Sequence, residues 1–559
     1  MAKQFSELPT EIQLLIFKRF DRPTLHSAVQ VNKEWHHMSA DLLWEEPSIA
    51  RIAKLVTLQS MQRRQYYASK IQKFKINRLS IACAFDKLVF SSLQDLRLHG
   101  SLGDPRASIH LIPYLQRAIR TLSFRGCGLD SRSLGLIASC CPLLERLEMF
   151  DPLVNVEDHE FAEFVQLLSR LRELLLGGKF AASAASMMFK YNTKSLARTL
   201  ERLDLYLVGS PDPESFRMFV MNCESLQHLS IHSNPAARPL QLMTGRVLAH
   251  VLNATPLQHL SGDWLSPGLL QQIPVPSTSV QSFGKLKSLM KKGCASSALT
   301  ILLQTSSHLQ TLELYLKDVT THLFSYIGSQ RQLRHLAIAS HPRHEVLSMT
   351  HLSPLANLTS LEYLDITYRC RRARFPQLLG LDDSTFSRLV SGFSQLTTLV
   401  LNLKHAYLSV ASIRLVSQAC PLLKRCALVY DHDLHTWGPT QTVPGPLFPK
   451  LVSLYLGSVT DMVGEGLFTY SGTVDMPAVS MRLNWLNTSR AQRSAERLLR
   501  CAPRLEKFGM ETITASGTMV KDVLVRMRPC KGLRAGDVAE IPITIVEGPF
   551  FASDFMRYP

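Results

Sequence analysis

Leu171-Arg172-Glu173-Leu174-Leu175-Leu176 spaces its leucines by three and then by two around a charged pair. Side chains two apart share one face of an extended chain, so Leu174 and Leu176 point inward together and their neighbours point out. The same spacing recurs on both sides. It stands at Leu93/Leu96/Leu98, Ile119/Leu122/Phe124 and Leu144/Leu147/Met149 before this copy, and at Leu200/Leu203/Leu205 and Leu226/Leu229/Ile231 after it. From Leu93 to Leu226 the copies start 26, 25, 27, 29 and 26 residues apart. A period this regular signals an internally repeated architecture.

Further along, copies start at Leu309, Leu333, Leu361, Leu396, Leu423, Leu451 and Leu505, with weaker ones at Ile71, Leu257, Val280 and Ala478. Each copy reads as a short strand beside the next in a parallel sheet, and the chain must return on the other side. Phe161/Phe164/Val165/Leu168, Phe216/Phe219/Val220/Cys223 and Phe386/Leu389/Val390/Phe393 are helical stripes that fit such returns. One strand and one helix per ~27 residues resembles the leucine-rich repeat. The expected fold is therefore α/β: a curved solenoid over about residues 68–530, parallel strands on its concave face and helices on its convex face. It also explains how 559 residues avoid one oversized core.

The first fifty residues differ. They carry 5 Lys/Arg against 7 Asp/Glu, in a chain of net charge +17. Leu8-Pro9-Thr10-Glu11-Ile12 opens a helix, with Pro9 suited to a first turn and Glu11 near the positive end of the dipole. Ile12, Leu15, Ile16 and Phe20 form its apolar stripe. Asp21-Arg22-Pro23 reads as a break, Thr24 as the cap of a second helix, and Asn32 as the cap of a third that carries Trp35 and Met38. Three helices this short bury little by themselves, which points to a partner.

Leu8-Pro9-x-Glu11-Ile12, Ile16-Phe17, Leu25, Val31-Asn32-Lys33-x-Trp35 and Leu43-Trp44 together resemble an F-box over residues 6–47. Asn32 and Phe20 depart from the family's usual cysteine and leucine. The resemblance implies docking onto a Skp-type adaptor, and through it a cullin, by Leu8, Pro9, Glu11, Ile12, Ile16, Val31, Trp35, Leu43 and Trp44. It further implies the substrate-recognition subunit of an SCF (Skp–cullin–F-box) ubiquitin ligase, without catalysis of its own. The domain reading is F-box at 1–50, a basic helical linker at 51–67, solenoid at 68–530 and a C-terminal cap or tail at 531–559.

The side chain that follows each repeat core should face outward on the sheet, where repeat proteins bind partners. That rule selects His99, Arg125, Phe150, Tyr206, His232 and Tyr315 as substrate-contact candidates. Residues 51–78 hold eight cations and no acid, and Arg369-Cys370-Arg371-Arg372-Ala373-Arg374 is a second basic run. Either suits an acidic or phosphorylated protein. The alternative is a basic scaffold for nucleic acid or acidic partners outside ubiquitination, but no aromatic-plus-basic RNA motif accompanies the charge.

No metal, cofactor or catalytic centre is expected. Cys141, Cys223, Cys420 and Cys501 recur just ahead of strands as small buried hydrophobes, and no Cys-x-x-Cys occurs. Asp431-His432-Asp433-Leu434-His435 and the group His341, His344 and His351 read as solvated loops. Gly177-Gly178-Lys179 lacks the rest of a phosphate loop. With no signal-peptide pattern and no apolar stretch long enough to span a bilayer, the expected location is cytoplasm or nucleus.

Overall fold

The computed structural model describes residues 5, 7–76, 85, 87–99, 113–151, 156–178, 181–190, 194–208, 212–233, 245–262, 285–294, 296–306, 308–316, 320–340, 349–368, 382–402, 410–432, 447–459, 502, 504, 507–510 and 544–546. The chain divides into two compact units, Met1–Trp264 and Leu265–Pro559.

The first unit opens with five helices: α1 Thr10–Phe17, α2 Arg22–Ala28, α3 Lys33–Glu45, α4 Ile49–Thr57 and α5 Met61–Ala68. Pro9 stands outside α1 as its N-cap residue and not within its first turn. The cap of α2 is Asp21 and not Thr24: Asp21 Oδ1 accepts the Thr24 N–H at 2.9 Å. Pro23 lies inside the first turn of that helix, where its missing donor costs nothing. Asn32 caps α3 as its sequence position implies, accepting the Trp35 N–H at 2.8 Å.

Eight parallel strands follow in this unit: β1 Lys73–Ile76, β2 Asp95–His99, β3 Thr121–Arg125, β4 Arg146–Phe150, β5 Glu173–Gly178, β6 Arg202–Leu207, β7 His228–Ser233 and β8 His259–Gly262. Each pairs with the next without a register shift. In-register pairing aligns the repeat positions into rows, so Leu96, Leu122, Leu147, Leu174, Leu203, Leu229 and Leu260 form one buried ladder. Burying a side chain of this size stabilises by about 1.5–3 kcal/mol, so the ladder is the main reason the sheet holds together.

The return segments include α6 Ser131–Cys140, α7 Asp158–Leu167, α8 Ala181–Lys190, α9 Lys194–Thr199, α10 Pro213–Met221 and α11 Gly245–Ala254. The stripes Phe161/Phe164/Val165 and Phe216/Phe219/Val220 are buried as their spacing requires.

The second unit repeats the scheme with β9 Ser288–Cys294, β10 Thr311–Leu316, β11 His335–Ser340, β12 Tyr363–Tyr368, β13 Thr398–Asn402, β14 Arg425–His432, β15 Ser453–Val459, β16 Lys507–Met510 and β17 Thr544–Val546. All neighbours pair parallel, with shifts near Tyr315 and after Leu428. Its helices are α12 Ser296–Thr305, α13 Thr321–Gly328, α14 Met349–Leu352, α15 Asp383–Val390 and α16 Val410–Ala419.

Three differences from the sequence reading stand out. The repeat that contains β9 is built on buried Leu286 and Leu289, while Val280 and Ala478 lie outside the described residues. Strand pairing reaches Thr544–Val546, beyond residue 530. Asp431 and His432 continue β14 instead of forming a loop, and His351 lies on α14.

Candidate partner-binding surfaces

Helix α1 has two unlike faces. Phe17 is fully buried and joins Leu25, Ala28, Met38 and Leu43 in a small core, with Phe5, Trp35 and Trp44 packed against it. Trp35 meets the Phe17 ring edge-on, with centroids 5.2 Å apart. Gln13 is buried on the same side, and its amide donates to the Leu8 carbonyl at 2.8 Å, fixing the approach to the helix.

The other face carries Ile12 at 43% and Leu15 at 58% exposure, with Leu8 ahead of it at 36%; Val31, between α2 and α3, is 58% exposed. Pro9 and Glu11 are exposed as well, and Ile16 is half-buried. Of the nine expected adaptor contacts, then, Leu8, Pro9, Glu11, Ile12 and Val31 are open to solvent. Leu43 is instead a core residue, and Trp44 stacks on Tyr67 of α5 with centroids 4.6 Å apart. Leu43 therefore packs with Phe17, Leu25, Ala28 and Met38 beneath the surface.

The helices are tied to the sheet by the basic run that follows them. Lys70 pairs with Asp41 at 2.6 Å, and Lys73 lies 3.7 Å from Glu45. Arg51 donates to the Leu43 carbonyl at 3.0 Å and to His26 at 2.8 Å. The Gln72 N–H donates to the Glu45 carbonyl at 3.0 Å, just ahead of β1. Two of the eight cations expected to await an acidic partner, Lys70 and Lys73, are thus engaged by acidic residues of α3. The second basic run, 369–374, lies outside the described residues.

On the open face of β2–β7, the candidate contacts form one row. His99 is in register with Arg125, Arg125 with Phe150, Phe150 with Gly177, Gly177 with Tyr206 and Tyr206 with His232. The Arg125 guanidinium lies 4.7 Å over the Phe150 ring. Phe150 and Tyr206 approach to 5.3 Å across Gly177, and Tyr206 stacks on His232 at 4.7 Å. Tyr315 is not part of this row. It belongs to the second unit, with Ala339 as its register partner.

The residues beneath the row were not singled out by the repeat pattern. Glu148 accepts two hydrogen bonds from Arg125, the Nε one at 3.0 Å. Asp204 is almost wholly buried and accepts from Arg202 at 2.7 Å. Burial raises the Asp204 carboxyl above the usual range, against the pull of Arg202. Burial, with Arg202 and His259 adding to it, pushes His228 down to about 4, so its 3.4 Å approach to Asp204 is not a charge pair at neutral pH. Burial and the nearby Lys75 and Arg125 likewise lower His99.

Cys141, Cys223 and Cys420 are buried, and burial pushes each thiol up to about 12. Cys501 lies outside the described residues, as do His341 and His344. Among the described residues no group of three or more His, Cys, Asp or Glu could hold a metal ion, and no helix is long and apolar enough to cross a membrane.

Residues 5–50 match the F-box-like family model. No curated protein matches the sequence. Solved structures similar to the chain include the yeast Rad7–Elc1 complex, at 16% identity over 76% of this chain and 89% of that one, with a TM-score of 0.36. The complex of TLR13 with ssRNA13 is similar at 14% identity, over 82% and 64%, with a TM-score of 0.33. An internalin, InlF of Listeria monocytogenes, is similar at 13% identity, over 69% and 88%, with a TM-score of 0.31. The chain thus carries an F-box-like helical segment at residues 5–50 ahead of repeated parallel strands with helical returns.

Proposed function

We propose that this chain is the substrate-recognition subunit of an SCF ubiquitin ligase, holding a Skp-type adaptor, and through it a cullin, by its helical segment and a protein substrate by its repeats. One observation carries the reading most. Leu8, Ile12, Leu15 and Val31 stay exposed on an F-box-like segment whose inner face is already packed. Four large apolar side chains left in water on so small a unit are costly unless a partner covers them.

In this role the chain contributes no catalytic residue. It raises the local concentration of substrate lysines at an enzyme recruited elsewhere on the complex. The contacts between the helices and β1 support a fixed spacing between adaptor and sheet, since Gln72, Lys70 and Trp44 leave little free hinge between them. The cytoplasm or nucleus, where such ligases work, is the proposed location.

The test is adaptor co-purification. Leu8→Ala combined with Pro9→Ala alters two exposed residues and should abolish recovery of the adaptor while the melting profile stays unchanged. Undiminished recovery would remove this docking mode.

A further inference from the structure

Two helices ahead of the sheet bring four basic side chains together with no acid among them. Arg22 and His26 are four residues apart on α2, and Arg51 and Lys54 are three apart on α4. Side chains at those spacings share a helix face, with about 5–6 Å between their Cβ atoms. Arg51 Nη2 joins the two pairs by donating to His26 Nε2 at 2.8 Å. The four groups therefore form one small patch.

Both arginines are held from the C-terminal end of α3. Arg51 Nη1 donates to the Leu43 carbonyl at 3.0 Å, and Arg22 Nη2 to the Glu46 carbonyl at 3.1 Å. Those carbonyls carry partial charges, so they fix the guanidinium groups without neutralising them. Among the described residues no carboxylate pairs with Arg22, Arg51 or Lys54, and Lys54 is exposed. The acids adjoining them in sequence are engaged elsewhere. Asp21 caps α2 through the Thr24 N–H, and Glu45 and Glu46 face Lys73 at 3.7 and 3.9 Å.

His26 takes part as a donor. A guanidinium has nothing to accept with, so Nε2 accepts from Arg51 and the neutral ring carries its proton on Nδ1. Arg51, Lys54 and Arg22 add to burial in lowering His26, which keeps the ring neutral at pH 7. The patch thus offers N–H groups alone, on three full positive charges and one neutral ring. A single carboxylate would leave two of those charges unanswered. A dianionic oxyanion answers two and accepts from several donors at once, which is the geometry guanidinium groups suit.

We propose that Arg22, His26, Arg51 and Lys54 form a binding site for a dianionic phosphate group, either free in solution or carried as a monoester. None of the four belongs to the exposed apolar set of the helical segment or to the row on the sheet. The site therefore stands independently of the adaptor and substrate readings.

A chemical footprint of Lys54 in the full chain tests it. Acetic anhydride labels exposed amines, and peptide mass spectrometry reads Lys54 beside Lys33 and Lys75, exposed lysines of α3 and β1. Inorganic phosphate should protect Lys54 along a saturation curve, relative to sodium chloride of equal ionic strength, and leave Lys33 and Lys75 unchanged. Arg22→Gln should raise the half-protecting concentration about tenfold, a typical loss for one charge-assisted contact. Arg22→Lys keeps the charge and should recover most of that loss, while Lys33 and Lys75 report that both variants stay folded. A short alanine peptide bearing one phosphoserine distinguishes the sources. Protection by that peptide assigns the group to a protein, and protection by inorganic phosphate alone assigns it to a free anion. Equal labelling of Lys54 in phosphate and chloride overturns the proposal. So does protection shared by Lys33 and Lys75, protection indifferent to Arg22→Gln, or equal protection by the unphosphorylated serine peptide. The Leu8→Ala/Pro9→Ala chain should keep its phosphate protection, so a failed anion site and failed adaptor docking are told apart.

Discussion

Phe150 lies across the Cα of Gly177, and a Cβ built on that glycine would run into the Phe150 ring. The one position of the row without a side chain is what lets Phe150 and Tyr206 touch over an intervening strand. Gly177→Ala should therefore rotate the Phe150 ring off Tyr206. Overpacking of this kind costs about 1–3 kcal/mol. Chemical denaturation would read the loss, and near-ultraviolet circular dichroism the altered ring pair. Gly135 is the control, because nothing stands within 4 Å of a Cβ there. It is exposed inside α6, so Gly135→Ala should stabilise by about 0.5–1 kcal/mol through helix propensity.

The two faces of α1 should separate stability from docking. Phe17 is wholly buried, and Phe17→Ala removes the centre of a core of only five buried residues. A loss of about 3–5 kcal/mol is expected, enough to melt the helical segment independently of the repeats. Ile12→Asp touches no core residue and should leave the melting curve within about 0.5 kcal/mol while abolishing adaptor recovery. If Ile12→Asp melted the segment as Phe17→Ala does, the exposed face would belong to the fold and not to a partner.

Most strands were legible from spacing alone, because one buried row needs the same apolar positions in every copy. Where the reading failed, a local substitution hid the signal. Leu286-Lys287-Ser288-Leu289-Met290-Lys291 keeps two leucines of the repeat but ends on a lysine, so β9 escaped notice. Pro23 reads as a helix breaker, yet a proline in the first turn is compatible with a helix, and Asp21 supplies the cap. The row of Arg125, Phe150, Tyr206 and His232 followed from alternation, whereas the role of Gly177 did not. A missing side chain carries no pattern, and only register shows that it lies between two rings. Glu148 and Asp204 were invisible for a related reason. They sit at positions that alternation assigns to solvent, yet both are buried, Glu148 accepting from Arg125 and Asp204 from Arg202.

Acid should loosen the first unit through His228. Its ordinary value of 6.5 falls to about 4 in the folded chain, chiefly by burial. A lowered histidine is bound by fewer protons when folded than when unfolded, so unfolding takes up protons between these two values. The stability is full above pH 6.5, declines as pH falls toward 4, and levels off below that. The loss is on the order of 2 kcal/mol, after allowance for the partial exposure of the ring. His228→Gln should flatten the decline between pH 6.5 and 4 in urea titrations. An unchanged slope would mean that His228 is not what senses acid there.

The buried cysteines should be silent toward alkylation. Thiolate is the reactive species, and a thiol held near 12 is ionised to only about one part in ten thousand at pH 8. Cys141, Cys223 and Cys420 meet that condition through burial beside the strands they precede, and Cys140, next to Cys141, is only half-buried. Iodoacetamide at pH 8 should therefore label Cys140 in the folded chain and leave Cys141, Cys223 and Cys420 unmodified until denaturant is added, as read by peptide mass spectrometry. The Cys140–Cys141 pair makes the comparison internal, since both residues share one peptide and differ only in the side of the chain they occupy. Equal labelling of the two before unfolding would show that α6 does not seal Cys141 against the sheet.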